Sequence, residues 1–283
     1  MKPNVVFSKG GFVSFPTVFA AWLRKIPVVA HESDVVPGLT TKLCFPFVKK
    51  QCLGFAASKS YFSKDHDKLV YTGVPLRDAI LRGNSESGLQ FLGLTTKTKP
   101  VLLVMGGSLG ATAINQVILT ILPQLLEEFT VVHSTGAQKN VITTHPDGYF
   151  SYETLTDSLA DLYQLADLIV SRAGASTVCE ILTLKKPAIF IPLTRKQSRG
   201  DQIVNCELIK NLPSLSILDQ DTLTPALLLD TIKSMCQSTK NSYDTRGWST
   251  FSCKDSSESI AQILLTYLHP HPLTPAKING KRT

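Results

Sequence analysis

Three stretches of this sequence place glycine at a strand-to-helix junction: FSKGGFVSFP (7–16), VMGGSLGATAINQ (104–116) and LIVSRAGASTVCEI (168–181). Glycine lets the backbone approach a ligand closely. A helix start adds unpaired N–H groups and a partial positive charge, so each junction has the makings of an anion site. Such junctions also serve plain packing, and one alone decides little. Two of them in the second half, both at strand carboxyl ends, favour a phosphate-bearing ligand. The loop Gly106-Gly107-Ser108-Leu109-Gly110-Ala111 matches neither the dinucleotide fingerprint G-x-G-x-x-G nor the P-loop G-x-x-x-x-G-K-[ST].

Polar residues follow these turns at useful spacings. Glu180 comes six residues after Gly174, on the first or second turn of a helix. A carboxylate there suits a ribose diol, or it merely complements the helix dipole. Asp201-Gln202 open a helix in IPLTRKQSRGDQIVNCELI (191–209). Asp201 is a good N-cap, and such side chains beside a phosphate site also suit sugar hydroxyls. The D-x-D pairs Asp65-His66-Asp67 and Asp219-Gln220-Asp221 read as turn and capping chemistry, and no metal site is expected. His31 and His133 end apolar strands, where a hydrogen-bonded structural role outweighs that of general base.

The elements that must carry these residues alternate. Strands are expected at 4–8, 28–31, 69–72, 101–105, 130–133, 168–171, 188–191 and 215–218. Helices are expected at 16–23, 39–48 (bending or stopping near Pro46), 111–127, 157–166, 175–185, 201–211, 224–236 and 256–268. Strands separated by helices imply parallel sheets covered on both faces. The expected organisation is a partial N-terminal lobe (1–78), a polar linker (79–99), a second lobe (100–255), a helix (256–268) and a frayed tail (269–283). The first lobe, with about three strands, falls short of the about five or more usual in a doubly wound lobe. A ligand belongs in the cleft at the carboxyl ends of the strands.

Composition narrows the partners. The 283 residues are 43% hydrophobic and 18% charged, enough for an ordinary core. The net charge of +7 is spread over pairs such as Arg24-Lys25, Lys49-Lys50, Lys185-Lys186 and Arg195-Lys196. That field suits a phosphate-bearing ligand or an anionic membrane surface and is too dispersed to argue for nucleic acid. The six cysteines form no C-x-x-C and read as small hydrophobes in a reducing compartment. No apolar run approaches bilayer-spanning length, and no signal peptide is evident. Trp22, beside Arg24 and Lys25, reads as a half-buried helix residue or a membrane contact.

Taken in order, FSKGGFVSFP, HESDVVPGLT (31–40), YTGVPLRDAI (71–80), VMGGSLGATAINQ, SRAGASTVCEI and SRGDQIVN (198–205) resemble the MurG family of peptidoglycan N-acetylglucosaminyltransferases over residues 3 to 268. The resemblance implies a GT-B fold of two Rossmann-like lobes, the N-terminal one incomplete. It implies an inverting transfer of N-acetylglucosamine from UDP-GlcNAc to the 4-hydroxyl of lipid I (undecaprenyl-pyrophosphoryl-MurNAc-pentapeptide), with no cofactor and no metal. The implied location is peripheral, on the cytoplasmic face of the cell membrane. Ser108 and Arg77 then match residues that face the donor diphosphate, and Thr156 falls where backbone groups read the uracil. Ala175, Ser176 and Thr177 match the helix start under diphosphate and sugar. Glu180 matches the ribose carboxylate, and Asp201, Gln202 and Asp34 lie near the sugar. Gly10 and Gly11 match an acceptor-side glycine loop.

The family pattern begins with a strand and a G-G-T-x-G-H loop whose histidine is the proposed base, followed by two more βα units; this sequence opens after them. The catalytic base is therefore unassigned, with His31 and Glu32 the nearest candidates. The alternative reading is a donor-binding subunit or inactive fragment whose missing segment a partner chain supplies. A nicotinamide dehydrogenase explains the paired lobes but not the glycine spacing, and a UDP-N-acetylglucosamine epimerase would share fold and nucleotide.

Overall fold

The computed structural model describes residues 3–107, 111–136, 146–239, 244–251 and 253–268. The first lobe holds β1 (Val6–Ser8), α1 (Ser14–Leu23), β2 (Val28–Glu32), α2 (Leu39–Cys44), β3 (Lys50–Leu53) and β4 (Leu69–Tyr71). Its strands run in parallel in the order β1-β2-β3-β4. After α3 (Ser85–Phe91), the second lobe follows: β5 (Val101–Met105), α4 (Thr112–Glu128), β6 (Thr130–Ser134), β7 (Tyr149–Tyr152), α5 (Leu159–Leu165), β8 (Leu168–Ser171), α6 (Ala175–Leu184), β9 (Ala188–Phe190), α7 (Asp201–Ile209), β10 (Leu215–Ile217) and α8 (Pro225–Thr239). Its parallel sheet is ordered β10-β9-β8-β5-β6-β7. Helix α9 (Ser256–Leu265) comes last.

Two strands escape a reading by apolar runs. β3 opens on Lys50-Gln51, and only its place between β2 and β4 buries it; Gln51 is wholly inside. β7 is an edge strand whose residues past Tyr149 are only partly covered. The helix expected over 39–48 stops at Cys44 and gives way to a 3-10 turn over Phe45–Phe47, because Pro46 cannot continue the ladder. The expected strand and helix cores of the second lobe agree with the observed spans to within a few residues at each end. The expected tail lies outside the described residues.

Each sheet is covered on both faces. In the second lobe, Leu103, Ile169, Val178 and Phe190 pack with α5 and α6 on one side; Leu102, Val104, Ile118 and Ile189 pack with α4 and α8 on the other. Residues 79–99 contain α3, whose N-terminus is capped by Asn84 Oδ1 accepting from Glu86 N (2.7 Å) and Ser87 N (3.2 Å). Asn84 N in turn donates to Asp161 Oδ1 (2.7 Å), which ties α3 to α5. α9 returns to the first lobe, where Ile260, Ile263, Leu264 and Tyr267 cover Val29 and Cys52. The return passes so close to Gly73 (φ +75°) that a Cβ there would lie 2.4 Å from Ser256 Oγ.

Two buried imidazoles stay neutral in this fold. His133 Nε2–H donates to Asn115 Oδ1 (3.0 Å), whose own amide is oriented by donating to Thr135 O; Nδ1 then accepts from Tyr149 OH (3.0 Å). Burial lowers the His133 pKa to about 4. Burial, and then the charge of Lys9, lowers that of His31 to about 4. The folded chain thus binds fewer protons than the unfolded chain between pH 6.5 and 4. Stability should be full above about pH 6.5 and fall as pH drops towards 4, by about 2 kcal/mol per histidine at pH 5. Urea midpoints at pH 7.5 and 5.0 check this, and equal midpoints would contradict it.

Candidate functional site

Strand order reverses between β5 and β8. From β5 the chain moves outward through β6 to β7, then returns to place β8 on the other flank of β5. Loops leaving the two strands diverge there and open a crevice. The register pairs Met105 with Ser171, so Gly106-Gly107 and Arg172–Gly174 leave the sheet side by side. A cavity of about 590 Å³ lies above them. Arg77, Thr156, Thr177, Glu180 and Gln202 all line it, together with Gly106, Gly107 and Gly174. Gly107 has φ +83°, the left-handed region that favours glycine. Ser108 lies outside the described residues.

Glu180 stands on the second turn of α6. Its Oε2 accepts from Tyr163 OH on α5 (2.9 Å). Burial, partly offset by that bond and by Arg77, raises the Glu180 pKa, and burial raises the Tyr163 pKa well above its usual value. Oε1 makes no hydrogen bond among the described residues and is left for a ligand donor. Gln202 is oriented in the same way. Leu193 N can only donate, so the atom it meets at 3.0 Å is Oε1, and Nε2 remains to donate into the cavity.

The start of α6 divides its labour. Gly174 is the N-cap and carries no capping side chain, so the first amides of the helix keep their donors. Ala175 is buried against Val35, Phe55, Val74 and Leu76 between the lobes, Ser176 is exposed and Thr177 faces the cavity. Asp201 is the first residue of α7 rather than its cap; Gly200 (φ +81°) takes that position. The Asp201 carboxylate lies 4.0 Å from Arg199, whose far side is 3.9 Å from Asp34.

Asp34 joins the lobes. Its Oδ1 accepts from Asn205 Nδ2 (3.2 Å), and its carboxyl is pushed up chiefly by burial. Asn205 is wholly buried; Nδ2 also donates to Ala173 O (3.1 Å) while Oδ1 accepts from Val35 N (3.2 Å). An asparagine inside Q-I-V-N-C offers no spacing signal of this role.

The two base candidates are committed elsewhere. Glu32 Oε1 accepts from Asp34 N (3.2 Å), and Oε2 accepts from Gly38 N (3.0 Å) and Thr41 Oγ1 (2.6 Å), so this carboxylate shapes the 33–38 loop. His31 Nε2–H donates to Gly73 O (2.9 Å), which leaves Nδ1 to accept from Lys9 Nζ (3.3 Å). A cation at the lone pair opposes proton uptake. Gly10 and Gly11, at φ +90° and +91°, turn the chain from β1 towards α1, and Gly11 O accepts from Ser14 N and Oγ. No metal-holding group of three or more His, Cys, Asp or Glu occurs among the described residues. In the second D-x-D, Asp219 accepts from Asp221 N (2.9 Å) as a turn cap. Replacing Asn205 by alanine strands buried Val35 N–H and Ala173 C=O, and should lower stability by about 2 kcal/mol in urea unfolding.

The geometry has counterparts among known proteins. The model described as "Glycosyltransferase family 28 C-terminal domain" matches residues 101–260, and "Glycosyltransferase family 28 N-terminal domain" matches 1–52. A UDP-N-acetylglucosamine--N-acetylmuramyl-(pentapeptide) pyrophosphoryl-undecaprenol N-acetylglucosamine transferase of Legionella pneumophila (strain Lens) is 49% identical over 230 residues, 81% of this chain and 62% of the relative. The chain thus spans less than two thirds of that relative's length. The protein of the same name from Clostridium botulinum (strain Alaska E43 / Type E3) is 44% identical over 266 residues, covering 93% of this chain and 73% of the relative. Among solved structures, Acinetobacter baumannii MurG superposes with a TM-score of 0.68 at 25% identity, over 94% of this chain and 74% of that one. The paired parallel lobes are those of the GT-B fold, and the chain belongs to the MurG family within glycosyltransferase family 28.

Proposed function

We propose that the chain acts in an inverting transfer of N-acetylglucosamine from UDP-GlcNAc to the 4-hydroxyl of lipid I, the step that makes lipid II for peptidoglycan. The observation that carries this reading is the convergence of Arg77, Thr156, Thr177, Glu180 and Gln202, scattered over 126 positions of sequence, on one cavity beside two glycine turns. In this reading Glu180 Oε1 accepts from the ribose diol and backbone groups near Thr156 meet the uracil. Gln202 Nε2 and Asp201 meet the sugar. The glycine turns, the uncapped amides of α6 and Arg77 face the diphosphate.

The chemistry is a single displacement. The acceptor oxygen bonds to the anomeric carbon as the bond from that carbon to the diphosphate oxygen breaks, and UDP leaves with the electron pair. Positive charge and N–H dipoles held in place before the reaction stabilise the charge that develops on the leaving group. A base must accept the hydroxyl proton. The hydrogen bonds of Glu32 and the cation beside His31 count against both, so no base is assigned. Gly10-Gly11, on the opposite lobe, are the proposed acceptor-side loop.

A peripheral site on the cytoplasmic face of the membrane is part of the proposal. Among the described residues no helix is long and apolar enough to cross a bilayer. Instead Phe15, Phe19 and Trp22 of α1 stack in sequence, and Phe47 from the 3-10 turn meets all three edge-on. Phe12, just before α1, is 87% exposed and Trp22 48%. Arg24, Lys25, Lys42 and Lys49 lie close by in sequence. Aromatic side chains beside cations suit an anionic lipid surface.

Calorimetric titration with UDP-GlcNAc should give saturable binding, which Glu180→Ala weakens at least about tenfold, the loss of one or more hydrogen bonds to a charged acceptor. Absence of binding by the folded wild-type chain would overturn the donor site. Transfer to lipid I in anionic micelles tests the reaction; donor binding without transfer would favour a donor-binding chain that works with a partner. Trp22→Glu should reduce co-sedimentation with anionic vesicles and leave UDP-GlcNAc affinity unchanged.

A further inference from the structure

Arg172 was not among the expected site residues, yet it occupies the floor of the cavity. It follows the last residue of β8, level with Gly106 beyond β5, at the point where strand order reverses. The residue is 8% exposed and lines the cavity with Ser171, Gly174 and Thr177. Its Nη1 donates to Ile191 O (2.9 Å) and Pro192 O (3.3 Å). It makes no ion pair among the described residues. Glu180, the carboxylate lining the same cavity, is bonded to Tyr163 instead.

A guanidinium removed from water without a counter-charge is unfavourable, and buried cations are ordinarily paired. Burial accordingly lowers the Arg172 pKa to about 10, still cationic at neutral pH. Two carbonyls satisfy one end of the planar fork. The rest of the fork has the geometry for phosphate oxygens.

We infer that Arg172 is the buried counter-charge for the diphosphate of a nucleoside diphosphate ligand, holding it from the sheet side of the cavity while Arg77 holds it from the other lobe's edge. This rests on the donor-site reading above. Arg172 also anchors Ile191 and Pro192, next to the Leu193 amide that orients Gln202, so one side chain would link diphosphate and sugar subsites. As UDP departs, the fixed cation meets the charge developing on the leaving oxygen.

The test is calorimetry of the full chain with UDP, uridine and inorganic pyrophosphate, for wild type, Arg172→Gln and Arg172→Lys. The expected result is a loss of at least tenfold in UDP and pyrophosphate affinity in Arg172→Gln with uridine binding unchanged, and partial recovery in Arg172→Lys. Equal losses for UDP and uridine would mean that Arg172 only props the 191–193 loop, and unchanged UDP affinity would remove it from the site; either overturns the proposal while the donor site stands. Pyrophosphate binding that depends on Arg172, in a wild-type chain that ignores uridine and UDP-GlcNAc, would keep the anion site and sink the nucleotide reading. No binding of UDP or pyrophosphate by the wild type would overturn both. Should Arg172→Gln fail to fold, Arg172→Met decides in its place: it removes the charge and keeps an apolar stem, so UDP and pyrophosphate affinity should fall at least tenfold with uridine binding unchanged. UDP affinity equal to wild type, or equal losses for UDP and uridine, would overturn the proposal.

Discussion

The pairing of β5 with β8 is the constraint on which the rest of the structure depends. Both strands are buried throughout and parallel, and each ends in a turn that cannot continue the sheet. Because neighbouring connections depart to opposite sides at that pairing, no helix fills the space above it. The crevice is therefore a consequence of strand order. Much of its lining comes from residues whose place in space is set by the sheet and by the helices that leave it, with Arg77 and the Thr154–Thr156 loop added from outside them.

Such a crevice must hold polar groups away from bulk water, and the protein satisfies them unequally. Glu180 has one oxygen bonded to Tyr163 and one left over; Gln202 has its carbonyl fixed by Leu193 and its amide left over; Arg172 has one nitrogen on two carbonyls. Each group is held in orientation by one or two partners and left short of its full set. An unmet hydrogen bond in a low-dielectric site favours any ligand that completes it. By contrast His31, Glu32 and His133, more deeply buried than Glu180 or Gln202, are turned inward onto the protein's own atoms.

The lobes are joined by directional bonds as well as apolar contact. Asn205 reaches across to Val35 and Asp34, and Arg199 lies between Asp34 and Asp201. Below them Val35, Phe55, Val74 and Leu76 meet Ala175 and Cys179, and α9 crosses to cover the first sheet. The helix start that offers its amides to the cavity is thus the same element whose buried Ala175 seats the other lobe. A change of angle between the lobes would move both.

The sequence by itself determined the alternation of strands and helices, the parallel sheets that follow from it, and the two glycine turns of the second lobe. Those features depend on local periodicity and on the backbone freedom of glycine, which adjacent residues carry. It also offered Arg77, Thr156 and Thr177 as candidate site residues through motif resemblance, and Glu180 and Gln202 through their spacing after the turns as well as through that resemblance. Only the tertiary structure decided that β3 is a central strand, that Asp201 follows a glycine cap, that Glu32 spends its carboxylate on a loop, and that Asn205 and Arg172 matter. The burial of β3 and the reach of Asn205 depend on partners far away in the chain, Asn205 meeting Val35 across 170 positions. Arg172 is marked by having no ion pair among the described residues, and Glu32, though its partners lie within nine positions, takes them only in the folded loop. Burial and long-range hydrogen bonding belong to the packed chain, so local sequence pattern had no means of expressing them.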